Sequence, residues 1–326
     1  MNDGFIVDVL VIGAGISGLI CATELQKSGL QVVLLDKGRN AGGRLSTREM
    51  QGARVDHGAQ FFTVRDSRFK IYVDQWIDSG VIREWFRHAD WDTNATGYPR
   101  YCGVDGMNSI AKYLASTLEV CQSEEVQTLS LRGGCWFAST KNGNEFVAKK
   151  LVITTPLPQA LALMETTNLN WAGDLLSRLK QVRYEKGLAA LVLLDQPSLV
   201  PVPGALKFSS GPLVWIADNQ MKGISPDVTA LTLHASAQFA TEHWDSSDAV
   251  RGQLMLNAAE QFIQGSVVDL RCHRWGFTLP LNPWPQTYLS IEPLGLALAG
   301  DAFGGSRIEG AALSGLGAAR IIQGSF

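Results

Sequence analysis

A run of branched aliphatic residues that ends in a glycine-rich turn constrains the fold more than any other part of the sequence. Val7 to Ile12 has the composition of a parallel strand buried on both faces. Gly13, Gly15 and Gly18 follow with the spacing G-x-G-x-x-G. In this spacing the first glycine permits a tight turn, the second lets a diphosphate approach the backbone, and the third packs a helix on the strand. The pattern therefore predicts the start of a dinucleotide-binding fold.

The residues after the turn extend the prediction to a complete β-α-β unit. A helix is expected from Ser17 to Ser28, with its amino-terminal amides placed to hold the diphosphate. Gln31 to Leu35 is expected to form the second strand, and Asp36 follows it, 23 residues after Gly13. A carboxylate that hydrogen-bonds a ribose hydroxyl is expected at an offset of about 20 residues. Glycine-rich turns also occur in ordinary loops, but the register of strand, turn, helix, strand and acid favours a dinucleotide site.

Bulk properties exclude several classes of function. The 326 residues suggest about two domains, and 46% hydrophobic with 18% charged residues is typical of a soluble globular protein. A net charge of -3 without a basic run indicates no nucleic-acid or anionic-membrane partner. The five cysteines show neither a C-x-x-C pair nor a zinc spacing, so we expect no metal site and reduced thiols in a cytoplasmic protein. The apolar run from Val9 to Ala22 lacks the basic flank of a signal peptide and is too short to span a membrane.

A second glycine turn indicates which dinucleotide is bound. Gly42, Gly43 and Arg44 follow Asp36 within one short loop. Together with the first turn, this G-G-R loop resembles the glutathione-reductase-type FAD-binding proteins, especially the amine oxidase and renalase branch. In that branch the loop continues the FAD site. The resemblance therefore implies FAD.

The segment Asp56–Phe62, DHGAQFF, carries a more specific resemblance. It is similar to the D-x-G-A-Q-aromatic segment of renalase-like flavoproteins, which passes beside the flavin ring. Gly58 and Ala59 are small enough for a flat ring to approach the backbone, and Gln60 can hydrogen-bond the edge of the ring. The alternative is a turn into an amphipathic strand, and for Phe62 a core position is the favoured interpretation.

The carboxyl terminus supplies a further match. A strand over Leu296–Ala299 ends in Gly300 and Asp301, and this G-D pair before a glycine-rich turn and helix resembles the second FAD signature of the same superfamily, whose aspartate binds ribityl or phosphate-proximal hydroxyls. The helix opening at Ile308 would point its positive end at the flavin pyrimidine edge, where charge develops on reduction. The alternative is an ordinary helix rich in small residues. Monoamine oxidases attach flavin through a cysteine near this signature, and because none follows Cys272 we expect non-covalent FAD.

Three expected strands, 188–194, 213–218 and 229–235, indicate an antiparallel sheet in a second domain. The segments 212–223, 233–236 and 272–277 resemble renalase-family segments in the same order. His234 and Trp275 fall on matching family positions, which implies that His234 orients a carboxamide or carbonyl and that Trp275 forms a wall for a planar substrate. The alternatives are a histidine with satisfied hydrogen bonds and a core tryptophan. Further candidates for substrate contact are Lys186, Trp215 and Asn219.

The sequence thus predicts an α/β fold, with a glutathione-reductase-type Rossmann FAD domain and a second α+β substrate domain built on a mostly antiparallel sheet. The FAD domain is expected to be discontinuous, over 1–75, 103–158 and 286–326, and the substrate domain to cover 76–102 and 159–285. Other expected elements are helices over 67–85, 108–118 and 246–264, strands over 120–126 and 150–155, and a hairpin of 128–139 with 145–147.

The candidate site residues follow from these motifs. The candidate substrate-orienting residues are His234, Trp275 and Gln60. The resemblance places Val126 at the end of a strand that presents backbone to adenine. The candidate cofactor-binding residues are Gly13, Ala14, Gly15, Ile16, Ser17, Gly18, Asp36, Lys37, Gly42, Gly43, Arg44, Gly58, Ala59, Gln60, Phe61, Val126, Gly300, Asp301, Ile308, Gly310 and Ala311.

Three functional hypotheses remain at this point. The first is an oxidase that takes a hydride from 2- or 6-dihydro-NAD(P) isomers and is reoxidised by O2, as the resemblance to bacterial renalase-like enzymes implies. The second is an oxidase or dehydrogenase for another small molecule such as an amine, or an NAD(P)H-using monooxygenase. The third is a flavin-binding protein without turnover. A second G-x-G-x-x-G is absent from the sequence, so nicotinamide would have to enter the substrate cavity itself.

Overall fold

A computed structural model of the chain describes residues 6–89, 91, 97–167, 169 and 174–326. The chain forms two compact units. The first comprises Met1–Gly43, Ala111–Arg183 and Pro280–Phe326, and the second comprises Arg44–Ile110 and Tyr184–Leu279. Compared with the expected domain boundaries, residues 44–75 and 103–110 belong to the second unit, and residues 159–183 and 280–285 belong to the first.

The strands and helices occur in chain order as follows. The strands are β1 (Ile6–Ile12), β2 (Val32–Leu35), β3 (Thr47–Met50), β4 (Ala53–Asp56), β5 (Ile82–Phe86), β6 (Arg100–Gly103), β7 (Glu119–Cys121), β8 (Val126–Arg132), β9 (Cys135–Thr140), β10 (Glu145–Ile153), β11 (Gly187–Leu194), β12 (Ala205–Lys207), β13 (Leu213–Asp218), β14 (Thr229–Ala235), β15 (Val267–Trp275), β16 (Leu289–Ile291) and β17 (Leu296–Leu298). The α-helices are α1 (Ile16–Lys27), α2 (Ser67–Asp78), α3 (Asn108–Ala115), α4 (Leu157–Glu165), α5 (Leu175–Leu179), α6 (Ala237–Glu242), α7 (Asp248–Ala258) and α8 (Ile308–Gln323). None of the helices in the described ranges combines the length and apolarity needed to cross a membrane.

The first unit is built on a sheet with a parallel centre. Its strands lie in the order β16-β17-β10-β1-β2-β7, and β8 and β9 extend it through β10. The five consecutive strands β17, β10, β1, β2 and β7 are all parallel to one another. Strand β16 is antiparallel to β17, and β9 is antiparallel to β10. Ile12, Ile153 and Leu298 lie in one register row, so the carboxyl ends of three parallel strands meet at one edge. In parallel α/β sheets this edge is where ligands bind.

Small residues let two helices pack closely within the first unit. A Cβ atom on Gly18 of α1 would overlap with the backbone oxygen of Gly13 and would lie 2.8 Å from Thr154 Oγ1. A Cβ atom on Gly315 of α8 would overlap with the backbone oxygen of Ser17. Helix α8 therefore lies against α1 at backbone contact, and α1 against the turn after β1. This explains why glycine occupies the interior of both helices despite its cost of about 1 kcal/mol relative to alanine.

The second unit is built on a five-stranded antiparallel sheet of order β12-β13-β14-β11-β15. One face is apolar and packs against α6 and α7, with Leu188, Ala190 and Leu233 among its core residues. The other face carries Trp215 and His234 as cross-strand neighbours and packs against the β3–β4 hairpin and an aromatic cluster. The predicted combination of an α/β sheet with a separate antiparallel sheet is therefore confirmed.

Some element boundaries differ from the sequence prediction for local physical reasons. The helix expected over 67–85 ends at Asp78, because Gly80 adopts φ +65° and Ile82–Phe86 then pairs with β6 as a strand. The helix expected over 246–264 is interrupted after Ala258 and continues as a single 3-10 turn.

The region from 119 to 153 was also only partly predicted. The strand expected over 120–126 is wrong, since β7 ends at Cys121 and Val126 begins the antiparallel strand β8. Gly133 and Gly134, both with positive φ, form a turn that divides the expected strand 128–139 into β8 and β9. The segments 145–147 and 150–155 belong to one strand, β10. Its first half pairs with β9 and its second half with β17.

We expect Gly315→Ala to lower the free energy of unfolding by about 1–3 kcal/mol, because the added methyl group forces α8 away from α1. Gly324→Ala is the matched control at the end of the same helix. Gly324 has φ -67°, and a Cβ atom there would be 3.5 Å from its nearest neighbour, the Arg320 backbone oxygen. Urea unfolding followed by circular dichroism measures both variants. Equal stabilities of the two variants would contradict the packing described above.

Candidate functional site

The turn after β1 has the geometry of a phosphate cradle. Gly13 adopts φ +103°, which glycine tolerates and other residues rarely do. The N-cap of α1 is Gly15, which has no side-chain oxygen to cap the first amides of the helix. A Cβ atom on Gly15 would meet no protein atom within 4 Å. The turn therefore offers free helix-terminal amides and open space, the two features that a diphosphate requires. The candidates Ala14, Ile16, Ser17 and Gly18 lie in or directly after this turn.

Asp36 lies beside the cradle but is engaged by the backbone. Its two carboxylate oxygens accept hydrogen bonds from the amides of Ala14 and Gly38, each at 2.7 Å. Burial raises the pKa of the Asp36 carboxyl, and the two amides oppose that shift. Lys37 is exposed. Asp36 thus fixes the loop after β2 against the first turn, and hydrogen bonding to a ribose stays a prediction.

The second glycine loop contacts the first turn directly. The Gly42 amide donates to the Ala14 carbonyl at 2.8 Å, and Gly42 forms a parallel bridge with Gly15. A Cβ atom on Gly43 would lie 3.6 Å from the Gly15 Cα atom. The two glycine turns, which meet at Gly15 and Gly42, are therefore adjacent in the first unit.

The carboxyl-terminal signature lies at the same edge of the parallel sheet. Gly300 follows β17 with φ +128°, and its amide donates to Ser314 Oγ at 2.8 Å. Asp301 is buried. Helix α8 begins at Ile308, and a Cβ atom on Gly310 would crowd the Gly305 oxygen at 2.5 Å. Ala311 is buried in the first turn of this helix.

Thr154 is a residue of this edge that sequence reasoning missed. Its hydroxyl lies 3.1 Å from the Ile12 oxygen and 2.8 Å from the Gly13 oxygen. Its backbone oxygen would be 3.4 Å from a Cβ atom on Gly300. Thr154 therefore joins the first glycine turn to the carboxyl-terminal signature. A hydroxyl residue directly after a buried strand was the only signal in the sequence.

The surroundings of Val126 do not match those expected for a residue next to adenine. It is buried and pairs with Thr140 at the start of β8, rather than ending a parallel strand. Its predicted role next to adenine stays a prediction.

The segment from Asp56 to Phe61 lies in the second unit with Arg44. The Ala59 amide donates to the Arg44 carbonyl at 2.9 Å, and Arg44 Nη1 donates to the Thr278 carbonyl at 3.1 Å. A Cβ atom on Gly58 would overlap with the Arg44 oxygen, so the neighbouring turn at Arg44 already requires a glycine there. Phe61 packs against Trp215, with ring centroids 5.5 Å apart.

Gln60 is folded back on its own loop. Its Nε2 donates to the Asp56 carbonyl at 2.7 Å and to the Gly58 carbonyl at 3.1 Å. Within the described residues its Oε1 is buried and has no hydrogen-bond partner. Gln60 therefore shapes the loop with its amide nitrogen and keeps one acceptor.

Two of the three substrate-orienting candidates, Trp275 and His234, hydrogen-bond the backbone of His57. Trp275 Nε1 donates to the His57 carbonyl at 2.9 Å, and the His234 ring also hydrogen-bonds the backbone of His57. Because His234 Nε2 has no partner among the described residues, this bond uses Nδ1. The Trp275 indole stacks on the His57 imidazole at 5.5 Å, with His273 at an edge. The donors of both candidates are thus committed to the protein, and His57 itself was missed by sequence reasoning.

Burial makes two of these histidines neutral at physiological pH. Burial, together with the positive charge of Arg48 and the nearby His273, lowers the pKa of His57 to about 3. Burial and the positive charge of Lys222 lower the pKa of His234 to about 4. Each imidazole donates one hydrogen bond to the backbone, His57 to Val55 and His234 to His57, so the remaining nitrogen of each ring is an acceptor.

These depressed pKa values predict a pH-dependent stability. An unfolded histidine has a pKa near 6.5. Between that value and the folded values the unfolded chain takes up protons that the folded chain does not, so stability present above about pH 6.5 is lost as the pH falls towards about 4. His234→Gln should reduce this loss by up to about 3 kcal/mol, as measured by urea unfolding at about pH 7 and about pH 4. Trp275→Phe removes the other donor to His57 without a titratable group and is the control. The same pH dependence in both variants would contradict the assignment.

Known structures share this fold over the full chain. A protein from Exiguobacterium sp. 255-15 that carries the name of a protoporphyrinogen oxidase superposes with a TM-score of 0.72 and 13% identity, over 98% of this chain and 99% of that chain. Wild-type putrescine oxidase bound to putrescine superposes with a TM-score of 0.67 and 14% identity, over 98% and 99% of the two chains. At these identities the likeness shows the fold alone.

The sequence match to one curated protein covers a shorter part of the chain. The 1-hydroxycarotenoid 3,4-desaturase of Flavobacterium sp. (strain P99-3) is 37% identical over 78 residues, which are 23% of this chain and 16% of the relative. The chain thus matches only about a sixth of the length of this relative.

Two family descriptions match consecutive parts of the chain. Residues 11–76 match the NAD(P)-binding Rossmann-like domain. Residues 85–323, well over half of the chain, match the flavin containing amine oxidoreductases. The chain therefore belongs to the flavin containing amine oxidoreductase family, which confirms the predicted class of FAD-dependent oxidoreductase, FAD as its cofactor and the Rossmann-type domain.

Proposed function

We propose that the protein oxidises a planar small molecule, best represented by the 2- or 6-dihydro isomers of NAD(P). When bound, FAD supplies hydride acceptance at N5 and reoxidation by O2, which gives H2O2. The chain supplies binding, orientation and electrostatics. The resemblance to renalase-like proteins motivates this choice of substrate, and family membership supports the wider class.

The first unit has the groups needed to hold FAD. The free amides at the start of α1 and the open space beside Gly15 suit the diphosphate. Gly42 and Gly43 lie next to this turn, and Gly300 and Asp301 follow a strand of the same parallel sheet. No cysteine follows Cys272 in the carboxyl-terminal signature, which supports non-covalent binding.

The observation that carries the choice of substrate is the pair of neutral imidazoles in the second unit. His57 Nδ1 and His234 Nε2 are acceptors without a partner in the described part of the chain. A carboxamide, as in nicotinamide, offers two N–H donors to such acceptors. Trp275 lies stacked on His57, which adds a flat aromatic surface. Neutral acceptors beside an aromatic ring suit a planar amide.

Oxidation of an amine is the second candidate, and family membership favours it. The aromatic residues of the second unit bear on this alternative, because ammonium groups bind to the faces of aromatic rings. The Arg100 guanidinium already lies over Phe86 at 4.9 Å and over Phe61 and Trp91 at less than 6 Å. A cation of the protein therefore occupies these ring faces, which favours a neutral or anionic substrate over an ammonium.

Anaerobic mixing of the FAD-loaded protein with candidate donors tests the proposal. We expect 2- and 6-dihydro-NAD to bleach the bound flavin rapidly, and 4-dihydro-NAD and putrescine to bleach it no faster than they bleach free FAD, which is the control. Admission of O2 should restore the colour and yield H2O2. Bleaching by putrescine alone would establish the amine alternative, and bleaching by no donor would contradict turnover of either substrate class.

A further inference from the structure

A fully buried ion pair anchors one end of the segment Asp56–Gln60. Lys222 Nζ lies 2.6 Å from Asp56 Oδ2, and neither side chain is exposed to solvent. The other carboxylate oxygen accepts hydrogen bonds from Thr47 Oγ1 at 2.6 Å and from the Met107 amide at 2.8 Å. Lys222 Nζ also lies 4.9 Å from the centre of the Trp85 ring. Each charge is therefore held by several partners.

Stability alone is a poor explanation for this pair. Removing two charges from water costs several kcal/mol each, and well-packed apolar residues often replace a buried pair without loss of stability. Such pairs are better explained where they fix one geometry among several. The geometry fixed here is that of the backbone next to Asp56.

The backbone amide and carbonyl of Asp56 also form hydrogen bonds with side chains of the second unit. The Asp56 amide donates to Asn219 Oδ1 at 3.3 Å, and the Asp56 carbonyl accepts from Thr232 Oγ1 at 2.7 Å. Asn219 Nδ2 in turn donates to Thr232 Oγ1 at 3.0 Å. Lys222 and Asn219 precede β14, and Thr232 lies within it. One strand and its preceding turn thus hold Asp56 through carboxylate, amide and carbonyl.

The next carbonyls of the segment are held in the same manner. The His57 carbonyl accepts from Trp275 on β15 and from His234 on β14. The Gly58 carbonyl accepts from Gln60. Three successive carbonyls, at 56, 57 and 58, therefore receive side-chain donors, although the segment after Asp56 lies outside any strand. Side chains here replace the hydrogen bonds that a sheet would supply.

We propose that Lys222 is a positioning residue, which acts through Asp56 to fix the backbone of residues 56–60, the predicted cofactor-binding segment. The proposal rests on the proposed function and on the predicted assignment of Gly58, Ala59 and Gln60 to the cofactor. Lys222 itself does not act on the cofactor or substrate. Its charge holds Asp56, Asp56 sets the start of the segment, and the donors on β14 and β15 set the rest.

The FAD-loaded protein with Lys222→Met tests this role. Affinity for FAD is measured by flavin fluorescence, together with the visible spectrum of the bound flavin, at a temperature where circular dichroism shows the variant to be folded. We expect about tenfold or more weaker FAD binding and an altered spectrum, because an unpaired buried Asp56 displaces the segment. Lys70→Met removes the exposed Lys70–Asp74 pair of the same unit and should match the wild type.

A second pair of variants decides the question if Lys222→Met does not fold. Thr232→Val keeps the shape of the side chain but removes the hydroxyl that donates to the Asp56 carbonyl, and should weaken FAD binding by about threefold. Thr229→Val on the same strand removes a hydroxyl that bonds Gln220 instead, and should leave FAD binding unchanged.

Wild-type FAD affinity and spectrum in folded Lys222→Met would overturn the proposal, and if that variant does not fold, wild-type FAD affinity in Thr232→Val would overturn it. None of these readouts needs turnover. A failure of every hydride donor would therefore overturn the proposed function and leave this test intact, and the reverse also holds.

Discussion

The first unit depends on the contact between helix α1 and the carboxyl ends of the parallel strands. That contact exists because Gly18 leaves room for the Gly13 carbonyl and for the Thr154 hydroxyl. It points the amino terminus of α1 along the edge where β1, β10 and β17 end together. Gly42, Gly43 and Gly300 lie near the first turn because they too are located at this edge of the sheet. A larger residue at Gly18 would separate helix and strand and remove the cradle.

The second unit contains a buried segment after Asp56 that has no regular secondary structure, so its polar backbone groups cannot pair within a sheet or helix. Such backbone must find hydrogen-bond partners, since an unpaired buried carbonyl or amide costs about 1–3 kcal/mol. Side chains of β14 and β15 provide the donors, and the Asp56–Lys222 pair fixes the start of the segment. The same burial keeps His57 and His234 neutral. The exclusion of water therefore explains both the fixed backbone of this segment and the uncharged imidazole acceptors of His57 and His234.

The sequence was sufficient to predict those structural features that depend on residues close together in the chain. The turn at Gly13 and the acid at Asp36 could be found because their spacing reflects one β-α-β unit. Three strands of the antiparallel sheet, β11, β13 and β14, could be found because each is a short run rich in apolar residues. The family resemblance added FAD, which family membership confirms. The finer resemblance to renalase-like proteins remains the basis of a proposal.

The sequence was insufficient where partners are far apart along the chain. Asp56 belongs to a motif, but nothing in the sequence pairs it with Lys222, 166 residues later. The role of Thr154 could not be predicted either, since its partners Ile12 and Gly13 lie about 140 residues earlier. His234 and Trp275 were singled out, yet their bonds to the His57 carbonyl depend on the register of β14 and β15 against β11. Pairings of this kind are set by tertiary structure.

The central claim is that the turn at Gly15 is the cradle for the diphosphate of FAD. Gly15 has φ -76° and ψ 179°, which alanine adopts without strain, and its Cβ atom would meet no protein atom. Titration of FAD into the apoprotein of Gly15→Ala, alongside its thermal unfolding, tests the claim most directly. The account predicts an unchanged unfolding temperature with FAD binding weakened by about tenfold or more, because the methyl group fills space that the diphosphate needs. Unchanged FAD affinity in a folded Gly15→Ala protein would contradict it.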